Sequence, residues 1–194
     1  MTAGVTYNRV AMSLHWLIAL MIIGVIVLGK MMTNPDIEFT LRFQLFQWHK
    51  TLGIMILLLS VLRLIWRLTH KYPSLPEAMK PWEVLGAKIS HMGFYVLMIG
   101  MPLVGWAMVS SSPRNIPTKL FGKIPWPHIP GLSNLPKDEK ETVTEVFTHL
   151  HLYAGYVLMA LIVLHVVAAL KHHFVNKDNI LSRMLPGLKQ RPHL

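Results

Sequence analysis

The sequence predicts an all-α integral membrane protein: a four-helix bundle with both termini on one side. Three observations lead there. Apolar residues make up 53% of the 194 and charged residues only 14%, a balance tilted away from that of soluble domains. The apolar excess is gathered into four runs, each long enough to cross a bilayer, which takes about 20 residues. Histidines then recur inside those runs at matching depths, where a lone imidazole is costly and calls for a partner.

The four spans are expected at 10–32, 47–69, 86–110 and 144–172, forming with their connections a single membrane domain over 1–194. The first is not expected to be a cleaved signal. Its apolar stretch is too long, no small-x-small cleavage site follows, and it carries His15. The second is strongly aliphatic and ends on Arg63 and Arg67. The third lacks a continuous aliphatic core, yet VLMIGMPLVGWAMV, 96–109, carries no charge; Pro102 is read as a kink. The connection 111–143 is rich in Pro and Gly and then becomes charged. It is too long for a turn and is expected to fold over the outer mouth of the bundle, the alternative being a plain spacer. The fourth span reads HLHLYAGYVLMALIVLHVVAALKHH around its core, and 173–194 forms a tail.

Orientation follows from Lys and Arg. The N-terminus, the second connection and the tail together hold eleven basic and three acidic residues, against eight basic and six acidic on the other side. Both termini are therefore placed in the cytoplasm. The net charge of +10 is explained by basic groups close to the span ends and by membrane lipid, so no nucleic-acid partner is expected. Cysteine is absent, which excludes disulfides, thiolate metal sites, iron–sulfur clusters and covalently attached haem. The apolar cores of the spans hold no carboxylates, which excludes a di-iron carboxylate centre.

Depth sorts the eleven histidines. His15, early in an outward span, and His165, late in an inward one, share the cytoplasmic level; His49 and His151 share the outer level. His151 and His165 are fourteen residues apart, about four turns on one face of a packed bundle and a rise of roughly 21 Å. Two pairs of axial ligands stacked in this way suit two flat haems better than small ions. A porphyrin also needs small side chains near its ligands. One turn after the four chosen histidines come Ala19, Gly53, Gly155 and Ala169, whereas His91 and His149 are followed by Tyr95 and Tyr153. Gly53 and Gly155 are accordingly counted with the cofactor site. Each histidine alone has a blander explanation, a hydrogen bond to a neighbouring backbone, and His91 remains the runner-up ligand.

Bis-histidine iron has no open coordination position, so the site is read as two non-covalent b haems carrying electrons. Arg63, fourteen residues after His49, is assigned to a propionate of the inner haem, the alternative being snorkelling to lipid phosphate; Arg9 is a weaker candidate of the same kind. His172 is the candidate quinone residue, or else a rim histidine among headgroups. Lys50, beside His49, leads the cations at the outer mouth, with Arg114, Lys119 and Lys123. It would steer an anionic donor, unless these charges form only a solvated loop.

These residues resemble the bacterial cytochrome b561 family along nearly the whole chain. The similarity runs through SLHWL, QWHKTLGI, VLRLIWRL and SHMGFYVLMIGMPLVGW, then the paired histidines of span four and ALKHHFVNKDNILSRML. The resemblance implies two b haems ligated at His15, His49, His151 and His165, an inner-membrane location and electron exchange with ubiquinone. One branch of the family oxidises superoxide with ubiquinone as acceptor, although the loop 111–143 is longer and richer in proline here. The leading function is thus transmembrane electron transfer between a periplasmic donor and ubiquinone. The alternatives are a haem-bearing anchor for a separate dehydrogenase or reductase, docked by a redox partner protein at 111–143, and a histidine-lined metal transporter.

Overall fold

The computed structural model describes residues 6–76, 79–185 and 187–188. Glu77, Lys189, Arg191 and His193, which contribute to the charge balance and the histidine count, lie outside the described residues. Helix α1 spans Arg9–Met32 and begins where the Asn8 side chain accepts from the Ala11 amide at 2.8 Å, satisfying an end donor. Helix α2 spans Phe39–Thr69 and is capped in the same way by Glu38, whose carboxylate accepts from Leu41 N at 3.1 Å. It starts eight residues before the apolar run. FTLRFQLF is helical, and Thr40, Arg42 and Gln44 alternate with its apolar residues and lower its hydropathy. Helix α3, Pro81–Ser111, opens with Pro81 in its first turn and the Glu83 carboxylate accepting from Lys80 N; Pro102 lies inside it.

The long connection is not irregular throughout. Strands β1 (Thr118–Leu120) and β2 (Ile124–Trp126) form an antiparallel hairpin, closed by Phe121 and Gly122 at positive φ, a feature absent from the all-α expectation. A short α4, Pro130–Ser133, follows it. Helix α5, Lys137–Phe174, runs 38 residues, about 57 Å, well beyond a hydrocarbon core of about 30 Å. A last short helix, α6, spans Ile180–Met184.

Four helices, α1, α2, α3 and α5, are long and apolar enough to cross a membrane, and the protein is an all-α membrane protein in its spanning part. Large apolar side chains such as Leu20, Val96 and Leu164 point outward, each about 65% exposed, as suits a lipid solvent. Helix α1 packs along α2 and α3 along α5, the two hairpins joining through α2 and α3; neither α1 nor α2 is a close neighbour of α5. Midway along the bundle Ile18, Ile22, Ile56, Met98 and Leu158 form one apolar layer.

Both ends are tied down. At the loop end, Gln47 Nε2 donates to Pro117 O (3.1 Å), Lys119 N donates to Gln47 Oε1 (3.2 Å) and Phe121 N donates to Thr51 Oγ (3.3 Å). On the other flank, Trp106 Nε1 donates to Pro127 O (2.8 Å) and Ile129 N to Ser110 Oγ (3.0 Å). The connection is therefore a roof stitched to α2 and α3. At the termini end, Trp16 Nε1 donates to Met184 O at 2.9 Å, Arg183 donates to Ser74 O, and Lys171 pairs with Glu83 at 2.7 Å.

Candidate functional site: two facing histidine pairs

Helices α1, α2 and α5 bring four of the predicted histidines together two by two. His49 and His151 face each other at the loop end, ring centroids 6.1 Å apart and planes at 65°. His15 and His165 do so at the termini end, at 6.2 Å and 67°. With a metal–imidazole bond of about 2.0–2.1 Å and about 1.1 Å from nitrogen to ring centre, two rings ligating one iron would sit about 6.3 Å apart. The apolar layer of Ile18, Ile22, Ile56, Met98 and Leu158 separates the two levels.

The ring chemistry fits as well. His49 Nδ1 lies 3.1 Å from Val25 O. A carbonyl only accepts, so Nδ1 carries the hydrogen and Nε2 keeps its lone pair, the arrangement that fixes a ligating histidine. His151 Nδ1 is buried and has no hydrogen-bond partner among the described residues.

His91 complicates the termini end, since its ring centroid is 6.3 Å from that of His165. The surroundings differ. Helices α3 and α5 are packed together there, and a Cβ added at Gly93, two residues on, would come within 3.3 Å of Leu161. His15, in contrast, reaches His165 from a helix that does not pack closely on α5. The two pairings thus differ in how closely the helices that carry them pack.

The glycines divide in an unexpected way. A Cβ added at Gly53 meets nothing within 4 Å, and at Gly155 only the flexible end of Met101, at 3.4 Å. Gly53 thus faces open space, and Gly155 faces only a side chain that can move. The tight glycines are two that sequence reasoning passed over. A Cβ at Gly105 would lie 3.2 Å from His151 Cε1, and one at Gly29 would lie 3.4 Å from His49 Cε1. They hold the His151 and His49 rings by close backbone approach from α3 and α1. Testing glycines at the depth of each histidine on neighbouring helices, in place of one turn along the same helix, finds both.

A cavity of about 290 Å³ lies at the loop end, with His49, Lys50, Gly53, Gly105, Trp126 and His151 in its wall. Lys50 is half-buried and donates to Pro117 O at 3.3 Å, whereas Arg114, Lys119 and Lys123 are exposed. At the termini end Arg63 and Arg67 line a cleft of about 30 Å³ with Tyr7, Trp66 and Tyr95. Arg9 is exposed in the first turn of α1. His172 is only 7% exposed and is engaged by Asp178 at Nδ1, with the Asn176 amide 3.2 Å from the same nitrogen. It binds the turn after α5.

Fold and site define a class: multi-pass helical membrane proteins that set facing histidines at two depths of one bundle. Residues 6–187 match the family model described as prokaryotic cytochrome b561, and the chain belongs to that family. It is 26% identical over 179 residues to cytochrome b561 homolog 2 of Escherichia coli (strain K12), covering 92% of this chain and 90% of that one. It is 28% identical over 141 residues to cytochrome b561 homolog 1 of the same organism, covering 73% and 74%. A protein of Yersinia pestis named probable superoxide oxidase CybB is 28% identical over 180 residues, covering 93% and 96%. The chain is thus a membrane electron-transfer protein of the bacterial inner membrane, and family membership implies haem b.

Proposed function

We propose that the protein is a dihaem b-type cytochrome, with His49 and His151 holding an outer haem and His15 and His165 an inner one. Its role is to carry electrons from superoxide on the periplasmic side to ubiquinone, with both termini in the cytoplasm. The observation that carries the reading is the pair of facing imidazole couples, 6.1 and 6.2 Å between centroids, at two levels of one bundle. Haem b supplies a reversible one-electron iron couple when bound. The chain's own residues do the rest. Val25 fixes the His49 tautomer, Gly29 and Gly105 admit and brace the outer rings, and the roof of 111–143 limits access of water and large solutes to the outer pair.

Inside, Arg63 supplies positive charge for a propionate near His165. With Nδ1 of His172 engaged by Asp178, Nε2 is the nitrogen left for a quinone carbonyl. Superoxide as donor rests on likeness to the relative from Yersinia pestis, and the excess of Lys and Arg at the termini end supports the orientation.

The test is haem content by pyridine haemochromogen, with reduced-minus-oxidised spectra, in detergent-purified protein. Two b haems per chain are expected, with the outer one lost on His151→Ala and the inner one on His165→Ala. Two intact bis-histidine haems in either variant overturn the ligand set. Superoxide-driven reduction of a soluble ubiquinone analogue by the two-haem protein then tests the donor.

A further inference from the structure

The inner level has Arg63 to meet a carboxylate, and the outer level needs an equivalent. The loop-end cavity contains two cations, Lys50 and Arg114, and no carboxylate in its wall. Lys50 stands one residue after His49, half-buried, its ammonium donating to a single carbonyl, Pro117 O, though it has three hydrogens to place. Arg114 takes part in no ion pair among the described residues. Across the same cavity, the indole nitrogen of Trp126 is buried without any acceptor. Buried N–H groups and half-buried charges are ordinarily satisfied, so an unpaired buried indole N–H and a half-buried ammonium with hydrogens to spare, with the exposed Arg114 guanidinium lining the same cavity, point to an anionic group with several oxygens.

Resting on the two-haem reading, we infer that Lys50, Arg114 and Trp126 form a carboxylate cradle for the propionate side chains of the outer haem. Trp126 gives one neutral hydrogen bond. Arg114 offers a planar fork and Lys50 a point charge close to the ligand His49. Lys50 is thereby a cofactor-holding residue, not a guide for an entering anion, because its head group is tied to the roof at Pro117. The hairpin then has a reason to exist: Trp126 ends β2 and Lys50 is tied to the segment leading into β1, so the roof and the cradle are built together.

Ferric bis-histidine haem carries one more positive charge than ferrous, so nearby cations favour the reduced form. Spectroelectrochemical titration of the purified holoprotein reads this directly. K50Q should lower the midpoint potential of the outer haem, identified as the one missing in H151A, and leave the inner midpoint unchanged. R114Q should move it in the same direction by less, and K50R should restore the parental value. Loss of the outer haem from K50Q with its retention in K50R supports the cradle equally, as a more severe form of the same effect. Unmoved outer midpoints in both K50Q and R114Q, with two haems per chain, overturn the cradle. So does a K50R protein indistinguishable from K50Q. A parent protein that lacks two b haems sinks the two-haem reading, and the cradle with it, before any potential is measured.

Discussion

Gly53 offers a substitution whose two effects have opposite signs. A methyl placed there meets no protein atom within 4 Å, so in the haem-free chain Gly53→Ala has nothing to displace. It also lies inside α2, where alanine is favoured over glycine by about 0.8–1 kcal/mol. The haem-free protein should therefore be as stable as the parent or slightly more so. The same methyl points into the cavity one turn from His49, where the two-haem reading puts a porphyrin edge. Crowding a filled site by one carbon costs about 1–3 kcal/mol, which lowers affinity for the outer haem about 5- to 150-fold. The assay is haem titration of the haem-free protein followed by visible spectra, alongside thermal unfolding of both forms. Gly86→Ala is the control, because it too meets nothing within 4 Å but lies far along the chain from both histidine pairs. The reasoning is refuted if Gly53→Ala binds the outer haem as tightly as the parent, or if Gly86→Ala weakens it equally.

Gly105→Ala brings a carbon to 3.2 Å from His151 Cε1, about 0.3 Å inside ordinary contact, while ligand distances tolerate about 0.2 Å. The outer haem should show altered bands and potential, and the inner haem neither; unchanged outer spectra would count against Gly105 as the brace. His91→Phe should keep both haems whereas His15→Ala loses the inner one, read by haemochromogen, and the reverse result would make His91 the ligand. In the roof, burial first and then the charges of Lys50 and Lys140 hold His128 below the ordinary imidazole value of 6.5. Unfolding or opening then takes up a proton, so the roof is secure above about pH 6.5 and loosens as pH falls below it. Hydrogen exchange over 116–129 should be faster at pH 5.5 than at 7.5 relative to intrinsic rates, and His128→Asn should abolish that difference.

How legible the molecule was depends on which coordinate a residue's role lives on. Depth in a bilayer is written along a sequence, because a helix rises a fixed amount per residue and the apolar run marks where it enters and leaves. That suffices to bring His15 level with His165 and His49 level with His151, and the structure sets the rings of each couple 6.2 and 6.1 Å apart. Azimuth is not written there. His91 has the right depth, and its distance to His165 is within 0.1 Å of His15's. What separates them is which helices pack, α3 on α5 but α1 not closely, and packing belongs to pairs of helices that no single segment specifies. Gly29 and Gly105 escaped for the same reason: each matters through a histidine on another helix. The hairpin was hidden differently, since its strands are three residues long and hold to α2 through Gln47 and Thr51 more than through their own propensity. On the two-haem reading, the inner haem would sit in the loosely packed flank between α1 and α5. A ligand filling it would join the α1–α2 hairpin to α3–α5, so loss of the inner haem should loosen the contact between hairpins while leaving each hairpin intact.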